Sequence, residues 1–235
     1  MTRIAAVGDV HMDVDVLGRF RPALDTLDEH ADMLLLAGDL TRHGTAEEAR
    51  CVAQEFGGLP VPVIAVLGNH DYHSNQEAVV IDVLAEAGIT VLEGNSTFIE
   101  CDGEPVGIAG AKGFGGGFAG RCASAFGEPA MKAFVRHTEE SAESLSRALK
   151  DMGTRCKVAL THYAPVPETL AGEPLEIYPF LGSYLLAEAI DTGGATLSIH
   201  GHAHHGSPRG MTPGGVRVRN VAHPVIRQAY SVFAL

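Results

Sequence analysis

The sequence predicts an α/β fold in which a second, mixed or antiparallel sheet packs on a largely parallel one. Three observations lead to this prediction: short apolar runs recur along the chain, helical patterns separate the early runs, and the later runs follow one another without a helix between every pair. Strands that alternate with helices are typical of parallel sheets, whereas strands joined without a helix pair in antiparallel fashion.

The strands of the parallel sheet are predicted from short runs rich in valine, isoleucine and leucine. Each run is followed at once by a small or polar residue, and runs of this length and composition are typical of strands buried on both faces. They lie at residues 4–7, 33–37, 61–67, 158–160 and 195–199.

Helical patterns are predicted between these runs, because apolar residues recur there at helical spacing. The first pattern opens with Thr45 and Glu48, which are spaced as a capping box, and the second stops at Gly88. We expect the long third pattern to be broken and its polar half to face solvent. The patterns cover residues 45–56, 76–87, 129–152 and 183–191.

The second sheet is predicted from strands at residues 90–92, 98–100, 106–109, 216–221 and 230–235. They are not separated by regular helices, which favours a mixed or antiparallel arrangement. Since no internal repeat or linker divides the chain, we expect a single domain over residues 1–235.

The composition indicates a globular protein with an acidic surface. Apolar residues make up 46% of the chain and charged residues 20%, which allows a packed core. The formal net charge of −12 repels polyphosphate backbones, so nucleic acid is a disfavoured partner. Cations held by Asp9 and Asp39 would nevertheless make their own surroundings electropositive.

The sequence shows no sign of secretion, membrane insertion or a thiolate metal site. The first apolar run is too short for a signal peptide, and no run is long enough to span a membrane. The four cysteines lie far apart and match no zinc spacing. We therefore expect a soluble cytoplasmic protein; the sequence leaves its oligomeric state open.

Two pairs of candidate ligands follow the first and the last of the parallel strands. Asp9 and His11 lie two residues apart, and so do His202 and His204. An extended backbone points both side chains of such a pair to the same side. Ligand sites of open α/β sheets lie beyond the carboxyl ends of the strands, where both pairs are expected.

Three further candidate ligands follow the remaining strands. Asp39 offers a carboxylate that can bridge two cations, Asn69 a carbonyl oxygen, and His162 an imidazole. One strand that ends in Gly-Asp is ordinary turn chemistry. Five strand ends with metal-type ligands indicate a metal site instead.

These motifs, taken in order, resemble those of the calcineurin-like metallophosphoesterase family. Each motif alone is weak, but the five in this order are specific, and they span residues 8–204. They read Gly8-Asp9-Val10-His11, Gly38-Asp39, Gly68-Asn69-His70-Asp71, Thr161-His162 and Gly201-His202-Ala203-His204.

The resemblance implies a four-layer αββα sandwich, with two mixed sheets packed face to face and flanked by helices. It also implies two divalent or trivalent metal ions bridged by Asp39. The first ion would be held by Asp9, His11, Asp39 and His204, and the second by Asp39, Asn69, His162 and His202.

The chain departs from the protein phosphatase branch of this family at Arg42. That branch carries an aspartate at this position, three residues after the aspartate of the Gly-Asp motif, and the aspartate supports the catalytic histidine. The departure favours the phosphodiesterase-like branch. It leaves the support of His70 to another carboxylate, for which Asp71 is a candidate, or to none.

The expected reaction is hydrolysis of a phosphoester. Imidazole, carboxylate and amide ligands without thiolate suit manganese or iron first, and zinc next. A water that bridges two such ions loses its proton near neutral pH, and the resulting hydroxide can attack phosphorus. His70, which is assigned to neither ion, is the candidate proton donor to the leaving oxygen, a role typically worth about 10²–10⁴-fold in rate.

Six residues are candidates for contact with the substrate: Arg42, His43, His73, Lys112, Phe114 and Arg121. For the first three, a plain loop role explains their positions equally well. The last three lie in the glycine-rich segment 107–121, which is either a flexible surface loop or a mobile lid. An aromatic turn at residues 178–180 is a second candidate wall.

The leading hypothesis is a phosphoric ester hydrolase that acts on mono- or diesters of a small molecule. A two-metal nuclease would use the same ligands, but the acidic charge and the lack of a basic tract disfavour it. A non-catalytic protein-binding module would be expected to have lost ligands or His70, and here every expected position is filled.

Overall fold

The computed structural model describes residues 1–101 and 103–235, which contain two large sheets and a small hairpin. The strands, in chain order, are β1 (Arg3–Val7), β2 (Met33–Ala37), β3 (Val63–Val66), β4 (Ile89–Val91), β5 (Asn95–Cys101), β6 (Glu104–Ala111), β7 (Gly117–Phe118), β8 (Arg121–Cys122), β9 (Cys156–Thr161), β10 (Leu197–His200), β11 (Arg209–Met211), β12 (Arg217–Asn220) and β13 (Ser231–Ala234).

Each large sheet has a parallel centre and at least one antiparallel edge. The first sheet has the order β13-β1-β2-β3-β4, and only β13 is antiparallel to its neighbour. The second has the order β11-β12-β10-β9-β6-β5, with β5 and β11 antiparallel at the edges. The predicted pair of mixed sheets is therefore confirmed, but the membership predicted for four strands is wrong: β9 and β10 lie in the second sheet, and β4 and β13 form the edges of the first. Local patterns predict that a segment is a strand, and not which sheet it joins.

The helices flank the two sheets. In chain order they are α1 (Arg21–Leu24), α2 (Ala46–Phe56), α3 (Glu77–Glu86), α4 (Pro129–Asp151), α5 (Tyr178–Leu181), α6 (Tyr184–Gly193) and α7 (His223–Ile226). Single 3-10 turns lie at Val14–Val16, Leu27–Glu29, His70–Tyr72, Pro167–Leu170 and Leu175–Ile177. The one-turn helices α1, α5 and α7 cannot be predicted from hydrophobic periodicity, because they are too short to show a repeat.

The predicted break in α4 is wrong, since the helix runs without interruption for 23 residues. Buried positions continue through its polar half at spacings of three and four, from Val135 through Thr138, Ala142 and Leu145 to Leu149. The polar residues between them fall on the outer face, so they interrupt neither the helix nor its packing.

Three apolar layers hold the sandwich together. Between the sheets, Leu35 and Ile64 belong to the same buried cluster as Leu160 and Ile199. Helices α2 and α3 cover the outer face of the first sheet, and α4 and α6 cover that of the second. The order of layers is thus helix, sheet, sheet, helix, as the four-layer prediction requires.

The glycine-rich segment 107–121 is divided between a central strand and a loop. Residues 107–111 lie in β6, where a Cβ at Gly110 would stand 2.6 Å from the Cβ of Leu92. The amides of Gly116 and Gly117 donate to the carbonyls of Pro179 (2.7 Å) and Gly182 (2.9 Å). The interpretation of the whole segment as a flexible loop or lid is wrong for residues 107–111, because residues 107–110 are paired on both sides and Ala111 is paired with β9.

A helix that crosses a bilayer must be both long and predominantly apolar. Within residues 1–101 and 103–235, no helix combines enough length with enough apolar character to cross a membrane.

Candidate metal centre

The loops that follow five parallel strands meet at one edge of the sandwich. Because β1, β2 and β3 run parallel, and so do β9 and β10, their carboxyl ends gather at common edges. Backbone bonds join neighbouring loops: the amide of Asp9 donates to the carbonyl of Gly38 (2.9 Å), and that of His11 to the carbonyl of Asp39 (3.0 Å). A bond from backbone to side chain links the two sheets, since the amide of His202 donates to the Asp9 carboxylate (2.9 Å).

The first donor cluster consists of Asp9, His11, Asp39 and His204, whose ligand atoms all lie within 4.8 Å of one another. The His204 Nε2 lies 2.8 Å from Asp9 Oδ1, and the His11 Nε2 lies 3.9 Å from Asp39 Oδ2. Two carboxylates and two imidazoles so close together can surround one ion.

The second donor cluster consists of Asp39, His162 and His202, again within 4.8 Å. Asn69 joins it, because its Oδ1 lies 3.1 Å from the Nε2 of His162, which in turn is 3.3 Å from Asp39 Oδ1. Asp39 belongs to both clusters, so its two oxygens face two possible ion positions. The structure thus brings together all seven residues in the grouping that the family resemblance implies.

Hydrogen bonds orient two of the imidazoles. The Nδ1 of His162 bonds the carbonyl of Ala37 (2.9 Å), which turns Nε2 toward Asp39. The Nε2 of His202 bonds the carbonyl of Phe180 (3.3 Å), which leaves Nδ1 for the cluster. Metal-binding histidines typically have such an outer partner, which sets the tautomer and the ring orientation.

Strained backbone is concentrated at the same place. Asp9, His11, Asp39 and His202 have φ values of 56°, 43°, 49° and 69°. A residue with a side chain rarely adopts this left-handed region, and each case costs on the order of 1–3 kcal/mol. Strain of this kind persists only where surrounding contacts hold the backbone in place. Here the four strained residues all contribute side chains to the donor clusters.

Two glycines leave the room that the clusters need. Gly38 has φ +81°, and a Cβ there would stand 2.5 Å from the His162 Nδ1. A Cβ at Gly68 would collide with the Asp39 carboxylate. Glycine is therefore required at both positions because no space is left for a side chain, and at Gly38 also because of its positive φ.

The carboxylates at the centre are buried, and they are paired with histidines and not with lysine or arginine. Asp9 is 3% exposed and Asp39 1% exposed. Among the residues that the structure describes, no lysine or arginine nitrogen lies within 4 Å of either carboxylate; their ion-pair partners are histidines. Buried carboxylates require compensation by a partner or a metal ion, so this donor set fits cations.

The pKa values of the histidines differ sharply within the centre. Burial opposes the charged form of His162, but Asp39 outweighs it and raises the His162 pKa to about 9. Burial lowers the pKa of His202 to about 3, with a further contribution from the charge of His162. The His162 imidazolium is thus a charge partner of Asp39, and a cation ligated by His162 would replace the proton on that ring.

His70 stands at the rim of the first cluster. Its Nδ1 bonds the carbonyl of Arg42 (2.8 Å), and its Nε2 lies 3.9 Å from Asp39 Oδ2. Its ring meets the ring of His11 edge to face at 4.5 Å between centroids. Since the backbone of Arg42 supplies the outer bond, no carboxylate is needed at that position to orient His70.

Asp71 has a different task from the support of His70. Its fully buried carboxylate accepts bonds from the amides of Thr41 (2.8 Å) and Gly68 (2.7 Å) and from the Thr41 hydroxyl (2.5 Å). Burial and then the charge of Asp39 raise its pKa to about 6. It ties together the loops after β2 and β3, which carry Asp39 and Asn69.

Three of the candidate substrate contacts lie in the loops that follow β2 and β3, and two of them already have charged partners. The Arg42 guanidinium is paired with Asp13 (2.9 Å) and Asp15 (2.7 Å), so it is already engaged. The Nδ1 of His43 lies 2.8 Å from Glu48 Oε1. The ring of His73 is 6.0 Å from that of His43, so these two candidates are neighbours.

Lys112 and Phe114 line a cavity of about 730 Å³ that also includes Asn69. Lys112 is 8% exposed, and its Nζ stands 5.0–5.2 Å from the ring centroids of Phe114, Tyr72 and Tyr163. Burial lowers its pKa, against the effect of Glu93 and Asp39. Sequence reasoning did not single out Tyr72 or Tyr163, although each is adjacent in sequence to a histidine or aspartate of a motif.

Arg121 lies in a separate, mostly apolar cavity of about 680 Å³, with Phe134 and Phe180. The structure does not place it with Lys112 and Phe114. The aromatic turn at residues 178–180 does reach the centre, because the carbonyl of Phe180 is the partner of His202.

Comparison with known proteins concerns the sequence first. A family model described as calcineurin-like phosphoesterase matches residues 2–206. None of the curated proteins compared with the chain matches it in sequence.

Two solved structures illustrate the shared fold. The phosphopantetheinyl hydrolase PptH from Mycobacterium tuberculosis superposes with a TM-score of 0.68 at 16% identity, over 96% of this chain and 90% of that one. GAP50, the anchor in the inner membrane complex of Plasmodium, gives a TM-score of 0.56 at 12% identity, over 95% of this chain and 72% of that one. At these identities the likeness concerns the fold alone.

Proposed function

This chain belongs to the calcineurin-like phosphoesterase family, and from that premise we propose that it hydrolyses phosphate mono- or diesters of a small molecule at a centre of two cations. One observation carries the proposal: two donor clusters share Asp39, and strained backbone at four of their residues turns the side chains toward each other. Turns also place Asp and His at positive φ, but turn chemistry alone does not require their ligand atoms to lie within 4.8 Å of one another.

The ligands proposed for the first ion are Asp9, His11, Asp39 and His204, and those for the second are Asp39, Asn69, His162 and His202. Bound there, two cations would polarise the phosphoryl oxygens and activate a water molecule as the nucleophile. Manganese or iron is proposed ahead of zinc, because oxygen donors of Asp and Asn accompany the imidazoles and no thiolate takes part.

The role proposed for His70 is donation of a proton to the leaving oxygen. Its bond to the carbonyl of Arg42 fixes the ring and leaves Nε2 facing the first cluster. A proton held on Nε2 is therefore presented where a phosphoester bound at the cluster would expel its alkoxide. Because Arg42 acts through its backbone, the arginine in place of an aspartate is compatible with catalysis.

The alcohol part of the substrate is proposed to occupy the cavity beside Asn69. Its volume of about 730 Å³ suits a small molecule. Lys112 offers a buried ammonium that can bind a phosphoryl oxygen, and Phe114 forms part of an aromatic wall. His43, His73 and Arg121 remain possible outer contacts, and a direct phosphate contact is least expected for Arg42, whose charge is paired.

A nuclease is the second function that the metal ligands would allow. The net charge of −12 argues against it, because a polyanion would have to approach an acidic surface. A cytoplasmic enzyme of one domain over residues 1–235 is also part of the proposal, and a reducing compartment suits the exposed thiol of Cys122.

The test combines metal analysis with a panel of phosphomonoesters, phosphodiesters, nucleotides, phosphopantetheinyl esters and single-stranded oligonucleotides. Manganese, iron and zinc are supplied in turn. We expect hydrolysis of at least one small ester, with Asp39→Asn losing both metal content and turnover. Absence of hydrolysis with every ion would contradict the proposal, and preferred cleavage of oligonucleotides would select the nuclease.

His70→Gln separates proton transfer from metal binding. We expect full metal content with kcat reduced about 10²–10⁴-fold, since the ring that donates the proton is lost. His30→Gln is the control, because His30 is exposed and precedes β2, whereas the ligands lie after the strands. Unchanged turnover in His70→Gln would remove this residue from the mechanism.

A further inference from the structure

A basic cleft lies at the open edge between the two sheets, apart from the candidate metal centre. It has a volume of about 390 Å³ and is lined by residues of β11 and β12 on one side and of β13 on the other. Arg209, Arg217 and Arg219 line it, and its lining includes no acidic residue. No candidate metal ligand belongs to it.

The strand register puts the three arginines on one face of the second sheet. Arg209 stands directly opposite Arg219 in the antiparallel pair of β11 and β12, and Arg217 is two residues from Arg219. Opposed residues of such a pair have their Cβ atoms about 4.5–5.5 Å apart, and like charges there repel. The intervening Val218 is buried on the other face.

The face in question is the one turned toward the first sheet. Arg217 and Arg219 are in register with Leu197 and Ile199 of β10, which belong to the core between the sheets. The Arg219 guanidinium lies 6.0 Å from the ring of Phe233 on β13. The arginines therefore continue the apolar layer out to the edge, where their charged ends meet solvent.

None of the three guanidinium groups is paired with a carboxylate within 4 Å in the described ranges 1–101 and 103–235. The protein has 29 acidic residues against 17 basic ones. A generally basic surface therefore does not explain why three unpaired arginines share one cleft. Burial, and then the charges of Arg209 and Arg217, lower the pKa of Arg219. The cluster is under mutual repulsion that an anion would relieve.

We propose that this cleft is a binding site for a small anion with two or three linked phosphate groups. Guanidinium groups bind phosphate oxygens through two parallel hydrogen bonds, and three of them match the charge of a diphosphate or triphosphate. The cleft is too small for a folded partner, and the acidic remainder of the surface repels long polyphosphate backbones. The apolar wall at Phe233 leaves room for an organic group attached to the phosphates.

The test is calorimetric titration of tripolyphosphate into wild-type protein, Arg217→Gln, Arg219→Gln and the control Arg147→Gln. Arg147 is an exposed arginine of α4, so its variant changes the net charge by the same amount elsewhere. The proteins are first dialysed against a chelator, because tripolyphosphate itself binds divalent ions. We expect one site per chain in wild type and Arg147→Gln, and binding at least tenfold weaker in the two cleft variants.

Thermal unfolding provides a second readout that does not depend on activity. Without ligand, Arg217→Gln and Arg219→Gln should melt at or above the wild-type temperature, because each removes a repelling charge. Tripolyphosphate should raise the melting temperature of wild type and Arg147→Gln only. Titrations with pyrophosphate and with a nucleoside diphosphate then distinguish bare phosphates from an attached nucleoside, and either ranking supports the site.

Three results would overturn the proposal. They are no binding by wild type at millimolar tripolyphosphate, equal binding by all four proteins, and an equal response to sodium sulfate at matched ionic strength. Binding of an acidic peptide without binding of tripolyphosphate would also overturn it, because the partner would then be a protein.

Discussion

Asp39 stands between the two donor clusters, and the residues around it are constrained by that position. Its own φ is 49°, the preceding Gly38 has φ +81°, and the next loop approaches so closely that Gly68 has no room for a side chain. The His70 amide donates to Asp39 Oδ1 (2.8 Å), which holds the carboxylate from a further direction. At the scale of single residues, the site requires glycine at positions 38 and 68 as well as the ligands themselves, because a Cβ at either position would collide with a ligand side chain.

Gly38→Ala tests this requirement. The new Cβ would stand 2.5 Å from the His162 Nδ1, so we expect His162 to be displaced and the metal content to fall, together with about 1–2 kcal/mol of backbone strain. Metal analysis and urea unfolding measure the two effects. Gly58→Ala is the matched control, because Gly58 also has positive φ (+61°) but nothing within 4 Å of its Cβ position. Equal metal loss in both variants would show that backbone strain alone is responsible.

At the scale of elements, buried glutamates of α2 organise the chain around the first sheet. Glu55 is 2% exposed and accepts bonds from the amides of Gly18 (2.7 Å), Phe20 (2.6 Å) and Arg21 (2.8 Å). At the other end of the helix, Glu48 completes the capping box with Thr45 and also bonds the amide of His43 (2.8 Å). These bonds satisfy backbone donors that would otherwise be left without partners near helix starts.

Glu55→Ala is expected to lower the free energy of unfolding by about 3 kcal/mol or more, because it removes the acceptor of three amides at once. Urea unfolding measures the loss. Glu47→Ala on the same helix is the control, since Glu47 is exposed. A loss no larger than that of the control would mean that other groups or water replace the carboxylate without cost.

The carboxylate of Glu48 should make stability depend on pH. Burial opposes its charge, but hydrogen bonds from His43 and Thr45 outweigh this and lower its pKa below the ordinary value of 4.5. A carboxyl group whose pKa is lowered by folding stabilises the fold at pH values above its pKa in the unfolded chain. It loses that contribution as the pH falls through its pKa in the folded protein. The difference in unfolding free energy between wild type and Glu48→Gln should therefore be largest near neutral pH and shrink in acid. A difference that is constant with pH would contradict this assignment.

For the molecule as a whole, the candidate metal centre is also a junction between the two sheets. Asp9, Asp39 and Asn69 follow strands of the first sheet, whereas His162 and His202 follow strands of the second. An ion that both sheets ligate would bind only while they are packed together. Metal binding and folding are therefore expected to be linked.

Removal of metal with a chelator should lower the melting temperature, and Mn²⁺ should restore it. Mass action gives a stabilisation of about 2.7 kcal/mol when the free ion is at 100 times its Kd. Asp39→Asn is the comparison variant, and its melting temperature should respond little to Mn²⁺ because both ion positions lose their shared ligand. An equal response in wild type and variant would place the stabilising ion elsewhere.

The sequence by itself determined the α/β class, most of the longer strands and the four longer helices, and the set of polar residues at five strand ends. These are local properties, since periodicity, capping and turn chemistry depend on neighbours in the chain. The continuity of α4 shows the limit of that approach: a polar stretch was interpreted as a break, although the buried face of the helix continues through it.

Only the tertiary structure decided which groups meet across long separations. It showed that the Arg42 carbonyl, and not a carboxylate, orients His70, and that Asp71 instead ties two loops together. It buried Lys112 among aromatic rings and placed Arg209 opposite Arg219. The physical reason is that strand register and loop contact join residues far apart in the chain, and no local pattern records which of the possible partners they meet.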